Sequence, residues 1–198
     1  MKKILIINGG QIFGESKGRL NATITGWSKS YFESRGDEVK ITDINTDYSV
    51  ADEIQRILWA DVIIYHSPIW WFQVPFKLKE YLDMVFETGR GVLYTSDGRS
   101  RKRANPKLGY GTGGILQGRK YMVTTTWNAP LEAFTEAGEL FYGKTPDDVL
   151  LGLHAAHKFL GIDKLKSFDF HDIIKEASVE RIAAYEKEYM AHLAALVY

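Results

Sequence analysis

Two short, uninterrupted apolar runs constrain this chain most: Ile4–Ile7 and Val62–Tyr65. A strand apolar at every position is buried on both faces. Each run leads into a turn and then into apolar residues at helical spacing. After the first come Leu20, Ile24, Trp27 and Tyr31, stopped by Gly36. After the second come Leu78, Tyr81, Leu82, Val85 and Phe86, stopped by Gly89. Between them lie a strand at Val39–Ile44 and a helix marked by Ile54, Ile57 and Leu58. Further on, Tyr121–Thr126 reads as a fourth strand, followed by helical stretches over 130–141 and 146–160. Leu165–Phe170 reads as a fifth strand. Ser178 caps a last helix with Ile182, Tyr185, Tyr189 and Leu193 on one face. Such alternation predicts an α/β fold, a parallel sheet with helices on both sides.

Five strands suit the order 2-1-3-4-5, a flavodoxin-like three-layer sandwich. In that order the carboxyl ends of strands 1, 3 and 4 border one crevice. No repeat or linker divides the 198 residues, so a single domain over 1–198 is expected. From 89 to 119 the periodicity vanishes into a long, glycine-rich, basic loop. Structureless loops of that length inside a domain are functional or disordered.

The bulk composition excludes several classes. Lys plus Arg and Asp plus Glu each total 25, so no net field recruits nucleic acid or an anionic membrane. There is no cysteine, hence no disulfide, thiolate nucleophile or cysteine zinc site. The run Ile4–Ile7 is too short for a signal-peptide core. No apolar run approaches the ~18 residues of a membrane-spanning helix. A cytoplasmic protein without an integral membrane segment is expected.

Three loops should meet at the crevice. The loop after strand 1, Asn8 to Asn21, is rich in glycine and opens a helix. Free N–H groups and the helix dipole make such a place an anion site. Ser16, Asn21 and Thr23 can donate to phosphate oxygens, and Lys17 or Arg19 can offset charge. A plain cap and turn would use the same residues. After strand 3 comes Pro68-Ile69-Trp70-Trp71-Phe72, with Pro75 suited to start a helix. Each of these rings would bury ~150–250 Å² if it had something to lie against. They are either core or a wall for a flat ligand. After strand 4 comes Thr126-Trp127-Asn128-Ala129. A phosphate site, an aromatic wall and a polar turn together fit a flat ring joined to phosphate, which describes a flavin nucleotide.

Other motifs point elsewhere. Gly14-Glu15-Ser16-Lys17-Gly18 matches the G-x-S-x-G elbow of serine hydrolases, but that elbow follows a strand directly, and here residues 8–13 intervene. Gly109 to Gly114 spells G-x-G-x-x-G with no strand before it, which suits a ligand-covering loop better than a dinucleotide fingerprint. His154 and His157 stand three apart on a helix without an evident third metal ligand, so no metal site is expected. Arg99, Arg101, Lys102, Arg103 and Lys107 form a basic run, either a solvated loop or a phosphate clamp.

Taken in order, these pieces resemble the flavodoxin-like NAD(P)H:quinone reductases of the bacterial modulator of drug activity B type. The matching stretches are Ile4–Gly9, Ser16–Thr23, Leu58–Val62, Pro68–Trp71, Leu93–Arg99, Tyr110–Gly114, Gln117–Tyr121 and Thr126–Glu136. Ile69, Arg19 and Ala22 depart from the family's pattern. The resemblance implies bound FAD, NADPH or NADH as donor, a quinone as acceptor, and a homodimer with active sites at the subunit boundary. It implies that Ser16, Gly18, Leu20, Asn21 and Thr23 hold the phosphate side. Pro68, Ile69, Trp70 and Trp71, with Thr126, Trp127, Asn128 and Ala129, would line the flavin ring, and Tyr110 would reach it from the long loop. Phe72 completes the aromatic wall.

The expected chemistry is a ping-pong exchange in which the flavin carries the hydride and the protein orients and tunes it. Backbone N–H groups of residues 126–129, or the Asn128 amide, are candidates to stabilise charge that grows on reduction. Tyr110 is a candidate proton donor. The rival readings are a flavin electron carrier with a protein partner, a serine hydrolase through Ser16, and a non-catalytic sensor.

Overall fold

The computed structural model describes residues 1–175 and 177–197. Its first half runs β1 (Lys3–Asn8), α1 (Arg19–Ser34), β2 (Glu38–Asp43), α2 (Val50–Trp59), β3 (Val62–Pro68) and α3 (Phe76–Thr88). After the long loop come β4 (Lys120–Thr126), α4 (Glu132–Thr135), α5 (Pro146–Val149) and α6 (Leu151–Leu160). The chain ends with β5 (Asp163–Lys164), β6 (Phe168–Phe170) and α7 (Val179–Ala195). The sheet order is β2-β1-β3-β4-β5, with β6 also on β4 and every pairing parallel. The flavodoxin-like order expected from the sequence therefore holds.

The apolar runs feed two cores, because successive strand residues point to opposite faces. Leu5, Ile7, Ile63, Tyr65 and Val123 pack with Ile57, Leu78, Val85 and Leu153 of α2, α3 and α6. Ile4, Ile6, Ile64 and Met122 pack with Ile24 and Phe32 of α1 and Tyr189 and Leu193 of α7. Each such aliphatic side chain contributes ~1.5–3 kcal/mol when fully buried. A buried polar chain crosses the second core. Ser28 bonds His66 Nε2 at 3.0 Å and Tyr189 at 2.8 Å, and Thr124 reaches Tyr189 at 3.4 Å.

Two elements differ from the sequence reading. Of the predicted fifth strand, Leu165–Phe170, only β6 is extended; β5 lies just before it, and the two pair with β4 at Thr124–Thr126 and at Lys120–Tyr121 respectively. Side chains occupy the gap: Ser167 Oγ donates to Asp147 at 2.6 Å and His192 bonds the Lys166 carbonyl at 3.0 Å. The predicted helix over 130–141 is a single turn, α4. The backbone turns extended at Glu136, Gly138 follows at φ 93°, and the chain folds back so that Phe134 and Phe141 stack at 4.7 Å.

The long loop closes on itself. Thr95 N–H donates to the Gly113 carbonyl at 2.9 Å and Gly111 N–H to the Asp97 carbonyl at 2.7 Å. A Cβ on Gly113 would lie 2.0 Å from the Ser96 carbonyl oxygen, so its glycine serves close backbone approach. Among the described residues, no helix is long and apolar enough to cross a membrane.

Candidate active site

The loop after β1 is a frame of backbone bonds. Asn8 Oδ1 accepts from the Gly10 N–H at 3.1 Å, and Asn45 Nδ2 donates to the Gly10 carbonyl at 3.1 Å. Phe13 and Ser16 then exchange both backbone hydrogen bonds across a tight turn. Gly18 starts α1 at φ 65°, and a Cβ there would lie 2.3 Å from the Gly10 carbonyl oxygen. Only glycine fits that contact and that φ.

No side chain caps α1, and no acidic residue sits in its first turn. The N–H groups of Arg19, Leu20 and Asn21 have no hydrogen-bond partner among the described residues. They point from a helix N-terminus with its partial positive charge, with Lys17 and Arg19 exposed beside it. This donor set fits a phosphate. Two hydroxyls expected to serve it are bonded inward: Ser16 Oγ donates to the Gln11 carbonyl at 3.1 Å and Thr23 Oγ1 to the Arg19 carbonyl at 3.1 Å. Ser16 therefore has a carbonyl for its partner, and among the described residues no side-chain base bonds it as a hydrolase nucleophile would require.

The loop after β3 is a second tight turn. Trp70 and Gln73 exchange backbone bonds at 2.8 and 3.0 Å. The residues between them, Trp71 at φ 47° and Phe72 at φ 65°, both stand in the left-handed region. Turns with two positive φ values normally use Asn-Gly, because bulky side chains are strained there. Strain of this kind costs ~1–3 kcal/mol per residue and concentrates at functional sites. It holds Trp71 90% exposed. Phe72 rests edge-on against Phe141 at 5.2 Å. Trp70 instead turns towards the first loop, 6.1 Å from Phe13, which also meets Phe76 edge-on at 5.3 Å. Pro75 immediately precedes α3, where its fixed φ suits a helix entry.

The turn after β4 closes the site. The Ile69 N–H donates to the Thr126 carbonyl at 2.9 Å, joining the second and third loops. Asn21 Nδ2 donates to Thr126 Oγ1 at 3.4 Å, joining the first and third. The Asn21 Oδ1 is buried without a partner, a group left for a ligand hydroxyl or, with the amide flipped, for an acceptor. A cavity of about 410 Å³ opens between Ile69, Trp71 and Phe72 on one side and Trp127, Asn128, Ala129 and Pro130 on the other. Its size and apolar walls suit a flat cofactor ring. Lys175 also lines it and is its only charged side chain among the described residues. No motif pointed to Lys175, because it arrives from the segment after β6.

Of the expected ring contacts, Trp71, Phe72, Ile69, Asn128 and Ala129 line the cavity. Trp127 is 2% exposed and is mostly packing against Phe134 and Phe141. Pro68 and Thr126 are buried behind the wall. Tyr110 stands apart. It is exposed, with Arg99 5.7 Å from its ring and Phe159 edge-on at 5.7 Å. With Tyr94, Phe86, Phe159, Ala155, Ala156, Asp83 and Glu87 it borders a larger, apolar groove of about 720 Å³ beside α3 and α6. The smaller cavity, tied through Thr126 and Asn21 to the uncapped start of α1, is the better candidate for chemistry.

The histidine pair is spent on packing. His157 is buried, stacks on Tyr121 at 4.1 Å and bonds the Leu153 carbonyl at 2.8 Å. His154 lies between the Tyr121 hydroxyl at 2.8 Å and Asp147 at 3.0 Å.

Comparison with known proteins agrees with this geometry. A family model described as a flavodoxin-like fold matches residues 2–193. The chain belongs to the flavodoxin-like fold family. It is 44% identical over 190 residues to the NADPH:quinone oxidoreductase MdaB of Haemophilus influenzae, covering 96% of each chain. The resemblance to modulator of drug activity B type flavodoxin-like proteins is thereby borne out. Among solved structures, a putative quinone reductase from Klebsiella pneumoniae superposes with a TM-score of 0.76 at 19% identity, over 98% of this chain and 84% of that one. The general stress protein 14 of Treponema denticola, solved in complex with FMN, gives 0.69 at 22% identity over 98% and 99%. At those identities the two structures speak for the flavodoxin-like fold alone.

Proposed function

We propose that this chain is a flavin-dependent NAD(P)H:quinone oxidoreductase that works by a ping-pong mechanism. One observation carries the reading. A strained aromatic turn and a polar turn wall a single cavity, and Asn21 ties that cavity to the uncapped start of α1. The kinship to a relative named NADPH:quinone oxidoreductase supports it.

A flavin bound there supplies two-electron hydride exchange between a pyridine nucleotide and a quinone. The protein's part is binding and electrostatics. Gly18 and the N–H groups of Arg19, Leu20 and Asn21 hold the phosphate side, with Ser16, Lys17 and Thr23 around it. Ile69, Trp71 and Phe72 form one wall and Trp127 to Ala129 the other, with Pro68, Trp70 and Thr126 supporting them from behind. Asn128 is exposed at the cavity and offers an amide donor to charge that develops on the ring. Lys175 adds a cation to the same cavity. A single cavity that serves donor and acceptor in turn accounts for a ping-pong order.

The cofactor proposed is FAD, on the resemblance to the modulator of drug activity B type. FMN is the second reading, favoured by a relative from Pseudomonas syringae pv. tomato, 28% identical over 140 residues, named FMN-dependent NADH:quinone oxidoreductase 2. The basic run 99–107 favours NADPH, because arginine forks match a 2′-phosphate. Tyr110 lies outside the cavity within one chain, so its role at the cofactor needs a second copy. A homodimer across the apolar groove beside α3 and α6 would bring the long loop of one copy to the site of the other. The single domain 1–198 and a cytoplasmic location complete the proposal. An electron carrier of similar fold would be steered to its partner by strong net charge, whereas this chain is neutral.

The test is steady-state oxidation of NADPH with a soluble quinone at varied concentrations of both, using the flavin-loaded protein. The expected result is turnover with parallel double-reciprocal lines. Intersecting lines would overturn the ping-pong order. No turnover in a protein that retains flavin would favour the carrier.

A further inference from the structure

The cavity wall after β4 is gripped from behind by β6 and the residues that follow it. Trp127 N–H donates to the Phe170 carbonyl at 2.8 Å, Ile173 N–H to the Trp127 carbonyl at 3.1 Å, and Asp172 N–H to the Ala129 carbonyl at 3.2 Å. A chain of side chains runs alongside. Trp127 Nε1 donates to Thr125 Oγ1 at 2.6 Å, and the Thr125 hydroxyl donates to Asp169. The direction of this chain is fixed. An indole N–H can only donate, so the Thr125 oxygen accepts from it and its one hydrogen goes to Asp169. Asp169 must accept, and a carboxylate accepts about twice as strongly as a neutral group.

Asp169 does not line the aromatic cavity. It faces a separate cavity of about 340 Å³, shared with His171, Arg181, Tyr185 and Glu188. On the flavin reading given above, we propose that Asp169 is a positioning residue: as a carboxylate it fixes the Trp127 indole through Thr125, and with it the turn that walls the cofactor cavity. The hold extends further. Trp127 meets Phe141 at 6.1 Å, and Phe141 meets Phe72 of the strained turn at 5.2 Å.

Burial pushes the Asp169 carboxyl up to about 6, Asp147 adds to the rise, and Thr125, Trp127 and Lys164 oppose it. Of the groups facing it, His171 and Arg181 are basic and Glu188 acidic. As the pH falls through that value, Asp169 takes a proton and its grip on Thr125 weakens.

The test measures flavin release from the full-length, flavin-loaded protein by ultrafiltration, with FAD and FMN as probes, between about pH 5 and about pH 7.5, either side of the Asp169 transition. The wild-type dissociation constant should rise about tenfold on the acid side, the scale of one charge-assisted hydrogen bond. Thr125→Val, which keeps the shape and removes the hydroxyl, should bind weakly throughout and lose that pH dependence. Thr125→Ser should restore both. Asp169→Asn should also give a flat profile, and if it does not fold, the Thr125 pair carries the test alone. A wild-type affinity and profile in Thr125→Val, or no restoration in Thr125→Ser, overturns the proposal and leaves the flavin site standing. No flavin binding by the wild-type protein at any of these pH values overturns the flavin reading itself, and this proposal with it.

Discussion

The Asn21 amide donates to the Thr126 hydroxyl at 3.4 Å, joining the start of α1 to the end of β4. Both groups are buried, and Asn21 Oδ1 has no partner among the described residues. A buried polar atom without a partner costs ~1–3 kcal/mol unless a ligand satisfies it. We therefore predict that Asn21→Ala weakens flavin binding by roughly tenfold, the worth of one such hydrogen bond. Its thermal stability without flavin should change little, because the orphaned atom goes with the side chain. Flavin fluorescence on titration checks this. Unchanged affinity would remove Asn21 from the cofactor site.

The Trp71–Phe72 turn should trade stability for function. Replacing the pair by Trp71→Asn with Phe72→Gly puts residues suited to positive φ where they are required. Relief of strain is worth ~1–3 kcal/mol per residue, against ~0.5–1.5 kcal/mol for the lost Phe72–Phe141 contact. The expected net gain of about 1 kcal/mol would raise the melting temperature by roughly 2–4 °C for a chain of this size. Flavin retention should fall at the same time. A lower melting temperature would show that the turn is not strained.

Gly18→Ala tests the phosphate cradle. The new Cβ meets the Gly10 carbonyl oxygen, and φ 65° disfavours any side chain. A stability loss of ~1–2 kcal/mol is expected for an L residue held in the left-handed region. The larger effect should be on flavin, with more than about tenfold weaker binding as the first-turn N–H groups are displaced. Calorimetric titration of flavin into the variant measures it, and wild-type affinity would count against the cradle.

Mild acid should destabilise the fold through its buried histidines. Burial pushes His66 down to about 3 and His157 down to about 4. In the unfolded chain both titrate near ~6.5. The unfolded state therefore binds protons that the folded state refuses, and stability present above pH ~6.5 is lost as the pH falls, at ~1.4 kcal/mol per pH unit for each histidine. Asp169 has the opposite sign. Its raised value favours the folded state below its unfolded value and loses that contribution as pH rises through about 6. Between about pH 6 and about pH 4 two histidines outweigh one aspartate, so denaturant midpoints should fall. Flat or rising midpoints over that range would contradict the buried, neutral histidines.

Much of this was legible in the sequence, and the reasons differ by element. Ile4–Ile7 and Val62–Tyr65 announce central strands because nothing but burial on both faces explains them. Gly18 and the following helix mark a candidate anion site through backbone chemistry, although a plain cap and turn would use the same residues. The gap between β5 and β6 was not legible, since Ser167 and Lys166 are drawn out of the ladder by Asp147 and His192, which are distant in sequence. The collapse of the helix after Pro130 depended on Phe134 and Phe141 stacking, a contact that periodicity does not encode. Lys175 enters the cavity from beyond β6, and Asp169 acts through Thr125, so neither carries a motif. The aromatic run Trp70–Phe72 reads as core or wall on its own and as a wall beside the other two loops, but the sequence does not say which ring faces the ligand. Two positive φ values and an exposed Trp71 now favour a wall, with Trp70 turned to packing against Phe13.

The most direct test of the central claim is the visible absorption of the flavin in the loaded protein. Adding NADPH without oxygen should bleach it, and a soluble quinone added afterwards should restore it in full. A protein that takes up neither FAD nor FMN, or whose bound flavin is not bleached by NADPH or NADH, would contradict the account.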